Sequence, residues 1–378
     1  MIYFNNSASG WPKAPGVAQT IFEMLENPPY HPGRSIDNSI DPMAECRIKL
    51  AKLLGVKNPE NIVLTTCATH SLNLALFGLR LNAGERVITT VTEHNSVIRP
   101  LNHIKEKNNI DIAFIGLDSS GNLDIESFES LMNDNVKLVV INHASNVTGR
   151  VNDANAMFSI AKRFGSITLL DASQSLGHIP IKVEQMNADI VAFTGHKALH
   201  GPPGTGGLYV SPYIDLEQVF VGGTGIRSDL IMHPQDMPTR LEAGTPNLPN
   251  FGGLAKALDW HEKNHHEFCK RANELISMLR NELMDIPNVE VFDNLNNSLR
   301  TPVVSFRIKG WDVEEVGYIL NQSFGIISRT GLHCAPLIHK AIGSFPNGTI
   351  RFSLSGFNTE SEVKIAVDAV RRIASANR

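Results

Sequence analysis

Short apolar runs alternate with amphipathic stretches through the first two thirds of the chain, and this alternation constrains the fold more than any other feature. The runs have the length of buried strands, and segments between them, such as 154–164, have helical periodicity. Such alternation predicts an α/β domain with a mostly parallel central sheet. The runs that we predict as strands are 62–66, 86–90, 112–115, 137–142, 167–171, 190–194 and 207–210.

The pattern changes after about Gly253. A long helix is predicted over 254–284, and a second, mixed set of elements follows it. We therefore expect a large α/β domain over 15–253 and a smaller C-terminal α+β domain over 254–378, with the N-terminal segment 1–14 packing alongside. The predicted elements of the smaller domain are strands at 289–292, 303–308 and 351–355 and a helix at 313–322.

Composition limits the function classes. The chain of 378 residues carries a net charge of −4, so there is no electrostatic reason to expect a nucleic acid or a membrane surface as partner. Its four cysteines are scattered without a CxxC pair, which favours a reducing compartment. The 14 histidines include no HExxH motif, and we expect no metal site. No secretory signal and no membrane-spanning run is apparent, so we expect a soluble, cytoplasmic protein.

Two polar stretches follow neighbouring predicted strands. Asp171 ends the run 167–171, and Lys197 comes shortly after the run 190–194. The carboxyl ends of parallel strands are where α/β sheets bind ligands. Taken singly, Asp171 could cap a helix and Lys197 could be a surface charge. Together they suit pyridoxal phosphate, which needs a lysine for a Schiff base and an acid that keeps the pyridine nitrogen protonated.

A third stretch, 65–73, passes from a strand into a helix and is rich in hydroxyl groups. Backbone N–H groups and hydroxyls at the start of a helix can hold a phosphate. Ordinary N-capping by Thr69 explains the same residues equally well. The stretch is therefore a candidate phosphate site that the local sequence alone does not decide.

Seven short motifs resemble, in order, the motif series of the class V aminotransferase superfamily, in its cysteine desulfurase/selenocysteine lyase branch. The resemblance covers nearly the whole chain and implies the type I fold of pyridoxal-phosphate-dependent transferases. It is incomplete at His70, where many members carry Glu, and at Thr194, where many carry Ser. The motifs are Glu93-His94-Asn95-Ser96, Ser145-Asn146-Val147-Thr148-Gly149, Asp171-Ala172-Ser173-Gln174, Thr194-Gly195-His196-Lys197, Glu242-Ala243-Gly244-Thr245-Pro246, Arg329-Thr330-Gly331-Leu332-His333-Cys334-Ala335 and Arg351-Phe352-Ser353-Leu354.

The resemblance implies roles around the cofactor. Lys197 would carry pyridoxal phosphate, Asp171 would pair with the ring nitrogen, and Gln174 would bind the phenolic oxygen. His94 would stack on the ring as a catalytic residue. The residues implied in binding the phosphate are Ala68, Thr69, Thr194 and His196, with Thr245 supplied by a partner subunit. A phosphate site shared in this way implies a homodimer with shared active sites.

The resemblance also implies a substrate, L-cysteine or L-selenocysteine. Arg351 would hold its carboxylate as a bidentate pair, and Asn146 would position it on the cofactor. Taken alone, Arg351 could be a surface charge and His94 a polar loop residue. The segment between Ile327 and Arg351 is short, as in the family group whose members often need a separate sulfur-acceptor protein.

The assignment to the cysteine desulfurase branch depends on the role of Cys334. A lone cysteine is more often a small buried apolar residue than a nucleophile. This one lies in a loop-like segment, where nearby His333 and Arg329 could lower its pKa. We therefore expect a cysteine desulfurase that releases L-alanine and leaves a persulfide on Cys334. Three alternatives stay open: a selenocysteine lyase, another class V lyase or transaminase in which Cys334 is incidental, and a non-catalytic sulfur-relay protein.

Overall fold

The computed structural model describes residues 1–27, 41–292 and 299–376. Its strands are β1 Ile2–Tyr3, β2 Ile62–Thr65, β3 Arg86–Thr90, β4 Asp111–Ile115, β5 Val136–Asn142, β6 Ile167–Asp171, β7 Ile190–Thr194, β8 Gly206–Val210, β9 Val289–Val291, β10 Val303–Ile308, β11 Ile326–Ile327, β12 Arg329–Gly331 and β13 Thr349–Ser353. Its α-helices are α1 Val17–Glu26, α2 Pro42–Leu54, α3 Ala68–Gly78, α4 Asn95–Asn108, α5 Ile125–Leu131, α6 Ala154–Arg163, α7 Leu248–Met284, α8 Val313–Phe324, α9 Pro336–Ala341 and α10 Glu360–Ser375. Short 3₁₀ turns lie at Pro59–Asn61 and Thr239–Leu241.

Seven strands form the central sheet in the order β2-β8-β7-β6-β5-β3-β4. The ladders that join β3 to β4, β3 to β5, β5 to β6 and β6 to β7 are parallel, and only β8 runs antiparallel to its neighbours. The mostly parallel sheet predicted from the sequence is confirmed. Each of its seven strands lies within one residue of the predicted bounds.

Buried residues cover both faces of this sheet. Along β5, Val139 and Ile141 join one apolar cluster, whereas Leu138 and Val140 join another. Successive side chains of a strand point to opposite faces, so a strand covered on both sides reads as a continuous apolar run. This is why β5 was visible in the sequence as an unbroken run.

The long helix α7 begins at Leu248, earlier than the predicted start at 254. The Asn247 side chain caps it by accepting from the backbone N–H of Asn250, and a proline lies in its first turn. Leu254 and Leu258 pack in a cluster of the central sheet, and Leu279 packs in a separate C-terminal cluster. The helix therefore contributes to both cores.

The C-terminal region contains a four-stranded antiparallel sheet in the order β12-β13-β10-β9. The N-terminal strand β1 pairs in parallel with β11, and the fully buried ring of Phe4 contacts that of Phe352. The placing of a domain boundary at 253–254 stays a prediction. Among the described residues, no helix is both long and apolar enough to span a bilayer.

Candidate active site

The carboxyl edge of the central sheet gathers most of the residues singled out in the sequence. β2 leads into Ala68, β3 into His94 and β5 towards Asn146, while β6 ends at Asp171 and β7 leads to Lys197. Their convergence follows from the shared direction of these strands. Three residues of the C-terminal region face the same place: the charges of Arg329, Cys334 and Arg351 all influence Lys197.

Lys197 is half-buried, and burial lowers the pKa of its amine to about 8 against the opposing influence of the Asp171 carboxylate. Positive charge on Arg351 and Arg329 lowers it further. Within the described parts of the chain, the amine has no hydrogen-bond or ion-pair partner. Part of it is therefore unprotonated near neutral pH, the form in which an amine attacks a carbonyl group.

Asp171 is 2 % exposed. Its Oδ1 accepts hydrogen bonds from the backbone N–H of Ser173, at 2.9 Å, and from the Ser173 hydroxyl. Two donors on one oxygen fix the position of the carboxylate. The neighbouring Gln174 is also held, because its Nε2 donates to the carbonyl of Ser7 at 3.0 Å.

His94 is the N-cap of α4, and its Nδ1 accepts from the backbone N–H of Ser96 at 3.1 Å. This bond leaves the ring proton on Nε2. Burial, together with the positive charge of Lys197, lowers the pKa of the imidazole to about 4. The ring is therefore neutral at pH 7, and a neutral ring can stack on a cationic heteroaromatic group without charge repulsion.

Helix α3 begins at Ala68 with Cys67 as its N-cap, and no side chain caps it. The alternative that Thr69 is an ordinary N-cap is therefore wrong, because Thr69 lies inside the first turn. The first N–H groups of an α-helix lack partners within the helix and attract anions. The Thr69 hydroxyl is exposed and lies 2.7 Å from that of Ser96.

The remaining predicted phosphate ligands, Thr194, His196 and Thr245, differ in their contacts and in their exposure. The hydroxyl of Thr194 donates to the carbonyl of Thr205 at 3.2 Å. His196 has its Nδ1 3.3 Å from the Ser9 hydroxyl, and burial lowers its pKa to about 4. Thr245 is exposed and lines a cavity of about 580 Å³ together with Thr66 and His70.

The Arg351 side chain is fully buried, so the alternative that it is a plain surface charge is wrong. Its Nη1 donates to the carbonyl of Asn146 at 2.9 Å and its Nη2 to Oδ1 of Asn5 at 3.2 Å, while Nε has no partner. Both acceptors are neutral, and no ion pair with a carboxylate is found within the described ranges. Burial lowers the pKa of the guanidinium to about 9, and Arg329 adds to the effect. A buried cation without a counter-ion is suited to bind an anion.

Cys334 lies between β12 and α9 in a loop with an unusual backbone. His333 and Cys334 both have positive φ, 49° and 59°, a conformation that costs non-glycine residues energy. Two hydrogen bonds hold the backbone of this loop. Asn146 Nδ2 donates to the carbonyl of His333 at 2.7 Å, and the backbone N–H of Asn95 donates to the carbonyl of Cys334 at 2.8 Å. The thiol is exposed, so the alternative of a buried apolar cysteine is wrong.

Arg329 and His333 differ in what they offer this thiol. Arg329 Nη2 lies 3.1 Å from Cys334 Sγ. The His333 imidazole is buried and paired with the Thr349 hydroxyl at 2.9 Å, and burial holds its pKa well below the usual value. The expectation that His333 contributes positive charge is therefore wrong, because the ring is neutral at pH 7. Of these two residues, Arg329 is therefore the one that places positive charge next to the thiol.

Several residues of the site had no role assigned to them from the sequence, although some stand in its motifs. Ser173 holds Asp171, Asn95 holds the cysteine loop, and Asn5 contacts Arg351. Glu93 is fully buried beside His94, and its pKa is raised to about 8 by burial. Ser173 could have been found from its spacing two residues after Asp171. Asn5 had no such signal, because 346 positions separate it from Arg351.

A partner-free lysine amine, a fixed buried carboxylate and an uncapped helix start at one sheet edge define the site class of a pyridoxal-phosphate enzyme, and the residues present fit that cofactor. Within the described ranges, no set of three or more His, Cys, Asp or Glu side chains is arranged to hold a metal ion.

The sequence profile of the Aminotransferase class-V family matches residues 4–365, and the chain belongs to this family. Its cofactor is pyridoxal phosphate, on which the class V aminotransferases depend.

Individual relatives agree with this assignment. A probable cysteine desulfurase of Methanothermobacter thermautotrophicus is 31% identical over 88% of this chain and 84% of its own length. The structure of a cysteine desulfurase from Thermococcus onnurineus superimposes with a TM-score of 0.91 at 30% identity, covering 99% of this chain and 94% of the other. A cysteine desulfurase from Escherichia coli, in an S-sulfonic acid form, gives a TM-score of 0.87 at 25% identity over 98% of this chain and 94% of its own.

Proposed function

We propose that the protein is a pyridoxal-phosphate-dependent cysteine desulfurase that releases L-alanine from L-cysteine and leaves a persulfide on Cys334. The observation that carries the proposal is the exposed thiol of Cys334, held 3.1 Å from the Arg329 guanidinium beside the Lys197 site. Relatives described as cysteine desulfurases, aligned over nearly the whole chain, support the same substrate.

The cofactor would be held by residues from several strand ends. Lys197 would bind it covalently, Asp171 would keep a proton on the ring nitrogen, and Gln174 would bind the phenolic oxygen. His94 would stack on the ring, and the phosphate would be held by Ala68, Thr69, Thr194 and His196. When bound, pyridoxal phosphate supplies an electron sink that weakens the bonds at the substrate's α-carbon.

The substrate would be oriented by two residues with unused donors or acceptors. Arg351 has a partner-free Nε, and Asn146 has a partner-free buried Oδ1. The guanidinium would bind the substrate carboxylate, and the amide oxygen would accept a hydrogen bond from the substrate. Lys197, with its lowered pKa, would then carry the proton that leaves the α-carbon.

Cys334 would complete the reaction as a nucleophile. Its thiolate attacks the sulfur of the substrate cysteine, a new S–S bond forms, and the Cβ–S bond breaks. The electron pair of that bond stays on Cβ, which then takes up a proton. L-cysteine and the thiol of Cys334 are thus converted into L-alanine and a persulfide on Cys334. The reaction needs no external oxidant or reductant.

Three further properties belong to the same proposal. Thr245 is exposed, and the loop before it carries exposed apolar side chains at Phe220, Ile231 and Met232. These features support a homodimer in which Thr245 reaches the phosphate of the partner's site. The short loop of Cys334 supports persulfide transfer to a separate acceptor protein. A cytoplasmic location stays a prediction from cysteine usage.

The test is alanine release from L-cysteine and from L-selenocysteine by the cofactor-loaded protein, comparing wild type with Cys334→Ala. We expect the variant to lose alanine release from cysteine, and mass spectrometry of the wild type to find one extra sulfur on Cys334. Cys269→Ala is the matched control, since Cys269 is buried on α7.

Other outcomes point to the alternatives. Alanine only from selenocysteine indicates a selenocysteine lyase, in which the weaker C–Se bond could break without attack by cysteine. A keto acid in place of alanine indicates another class V enzyme, with Cys334 incidental. A protein that takes up no cofactor and shows no visible absorbance indicates a non-catalytic sulfur-relay protein.

A further inference from the structure

We propose that Asn5, which follows the N-terminal strand β1, is a positioning residue that sets the orientation of the Arg351 guanidinium for the carboxylate of the substrate. This inference rests on the proposed function and extends it, because it names a determinant of carboxylate recognition far from every motif in the sequence.

The backbone around Asn5 is fixed on the strand that carries Arg351. Asn5 forms a parallel bridge with Ser353. The N–H of Ser353 donates to the carbonyl of Phe4 at 2.8 Å, and the N–H of Asn6 donates to that of Ser353 at 3.2 Å. Asn5 is thereby held beside Ser353, which lies two residues after Arg351 on β13, and it has little freedom to move relative to this strand.

The two terminal nitrogens of Arg351 are each used by a different part of the chain. Nη1 donates to the carbonyl of Asn146 at 2.9 Å, and Nη2 donates to Oδ1 of Asn5 at 3.2 Å. A planar group held at both ends cannot rotate about its terminal bond without breaking one of these contacts. The two acceptors therefore fix the plane of the guanidinium.

A fixed plane matters because a carboxylate binds two N–H groups of a guanidinium in a defined geometry. A receptor that already has this orientation loses less conformational entropy when the ligand binds. Arg329 lies opposite Arg351 on the neighbouring strand, and the like charges of the two guanidinium groups repel each other. Asn5 is the side chain that holds the guanidinium in place against this repulsion.

Asn5→Ala tests the inference in the cofactor-loaded protein. We expect the KM for L-cysteine to rise roughly tenfold with little change in kcat, because a hydrogen bond to a charged group is lost. Asn5→Asp keeps an accepting oxygen but gives Arg351 a counter-ion, so we expect the KM to stay raised in this variant, because the guanidinium is already paired.

Two inhibitors separate positioning from a general disturbance of the site. 3-Mercaptopropionate carries the carboxylate and thiol without the amine, whereas cysteamine carries the amine and thiol without the carboxylate. Asn5→Ala should weaken inhibition by 3-mercaptopropionate roughly tenfold and leave that by cysteamine unchanged. Equal changes for both inhibitors, or none for either, would overturn the inference.

Asn6→Ala is the matched structural control. Asn6 Nδ2 donates to the carbonyl of Ser353 at 3.1 Å, so Asn6 anchors the same strand without contacting Arg351. We expect it to lower the thermal unfolding midpoint without raising the KM, and a KM rise as large as that of Asn5→Ala would contradict the specific role of Asn5. If Asn5→Ala does not fold, Asn5→Ser replaces it.

A failure of the inference about Asn5 can be distinguished from a failure of the proposed function. If the wild type releases no alanine from either substrate, the proposed function fails. Isothermal titration of 3-mercaptopropionate into wild type and Asn5→Ala still measures carboxylate binding, without any turnover. A weaker affinity in the variant supports the role of Asn5, and an equal affinity overturns it.

Discussion

Arg329 and Arg351 lie directly opposite each other on the antiparallel strands β12 and β13. Like charges at such a position repel, and the charge of Arg329 contributes to the lowered pKa of Arg351. The two guanidinium groups have separate polar contacts, Arg329 with the Cys334 thiol and Arg351 with a backbone carbonyl and an amide. The pair therefore forms a strongly cationic site beside Lys197, suited to the carboxylate of a substrate and to the sulfur of Cys334.

Removing the charge beside Cys334 should make its thiol less reactive. In Arg329→Gln we expect alkylation of Cys334 by iodoacetamide at neutral pH to slow by roughly threefold to tenfold, because the variant removes the cation in contact with the attacking sulfur. Mass spectrometry of the Cys334 peptide measures the rate. Arg163→Gln, which removes an exposed arginine, is the control. An unchanged rate in Arg329→Gln would show that the 3.1 Å contact does not activate the thiol.

Lys197→Ala should abolish the covalent attachment of the cofactor. We expect the visible absorbance of the bound cofactor to change and alanine release to fall by at least about a thousandfold, because the variant lacks both the attaching amine and the proton carrier. The absorption spectrum and an alanine assay measure the two effects. Lys182→Ala, at an exposed lysine, should keep both properties. Substantial alanine release by Lys197→Ala would exclude this lysine from the reaction.

Ser173→Ala should weaken cofactor binding without unfolding the protein. The Ser173 hydroxyl donates to Asp171 Oδ1, and its loss leaves the carboxylate less well fixed. We expect the dissociation constant of pyridoxal phosphate to rise roughly tenfold, as for one hydrogen bond to a charged group. Fluorescence titration of the cofactor-free protein measures it. Ser159→Ala, on the exposed face of α6, should show no rise, and equal affinity of all three proteins would contradict the role of Ser173.

Glu93 should make stability depend on pH in a predictable direction. Burial, aided by the negative charge of Asp171, raises the pKa of its carboxyl from 4.5 to about 8. Between these values the folded protein keeps a proton that the unfolded chain releases, so the free energy of unfolding falls as pH rises through this window. Glu93→Gln cannot ionise and keeps an oxygen that accepts from Thr90 and Asn142.

We therefore expect Glu93→Gln to gain stability relative to wild type as the pH rises from about 5 to about 8. Urea unfolding of both proteins at the two pH values measures the difference. Glu106→Gln, at an exposed position on α4, is the control and should show no such trend. A difference that does not vary with pH would indicate that the Glu93 carboxyl is already ionised at the lower value.

The strands of the central sheet were predictable because most are buried on both faces. Strands β5, β6 and β7 are almost wholly buried and mostly apolar, and each ends in a polar residue at the carboxyl edge of the sheet. The start of α7 was placed too late because a proline and an asparagine at 247–249 resemble a loop. In the folded chain they are the cap and first turn of the helix.

The partners of the candidate site were less predictable than its members. The sequence indicated that Cys334 had two possible cationic neighbours, His333 and Arg329, and gave no means of choosing between them. Burial decides the choice, because the His333 ring is enclosed and paired with Thr349 and is therefore neutral. The exposure of a residue depends on contacts with distant segments, which local patterns do not report.

Consecutive residues were enough to predict the α/β class, the strand ends near Asp171 and Lys197, and the family resemblance. These features depend on local periodicity and on short motifs, which are written in consecutive residues. The tertiary structure alone decided which residues meet across long separations, including Asn5 with Arg351, Asn146 with the cysteine loop, and Arg329 opposite Arg351. Those contacts depend on how whole elements pair: β12 pairs with β13, and the segment that follows β1 bridges β13 at Ser353.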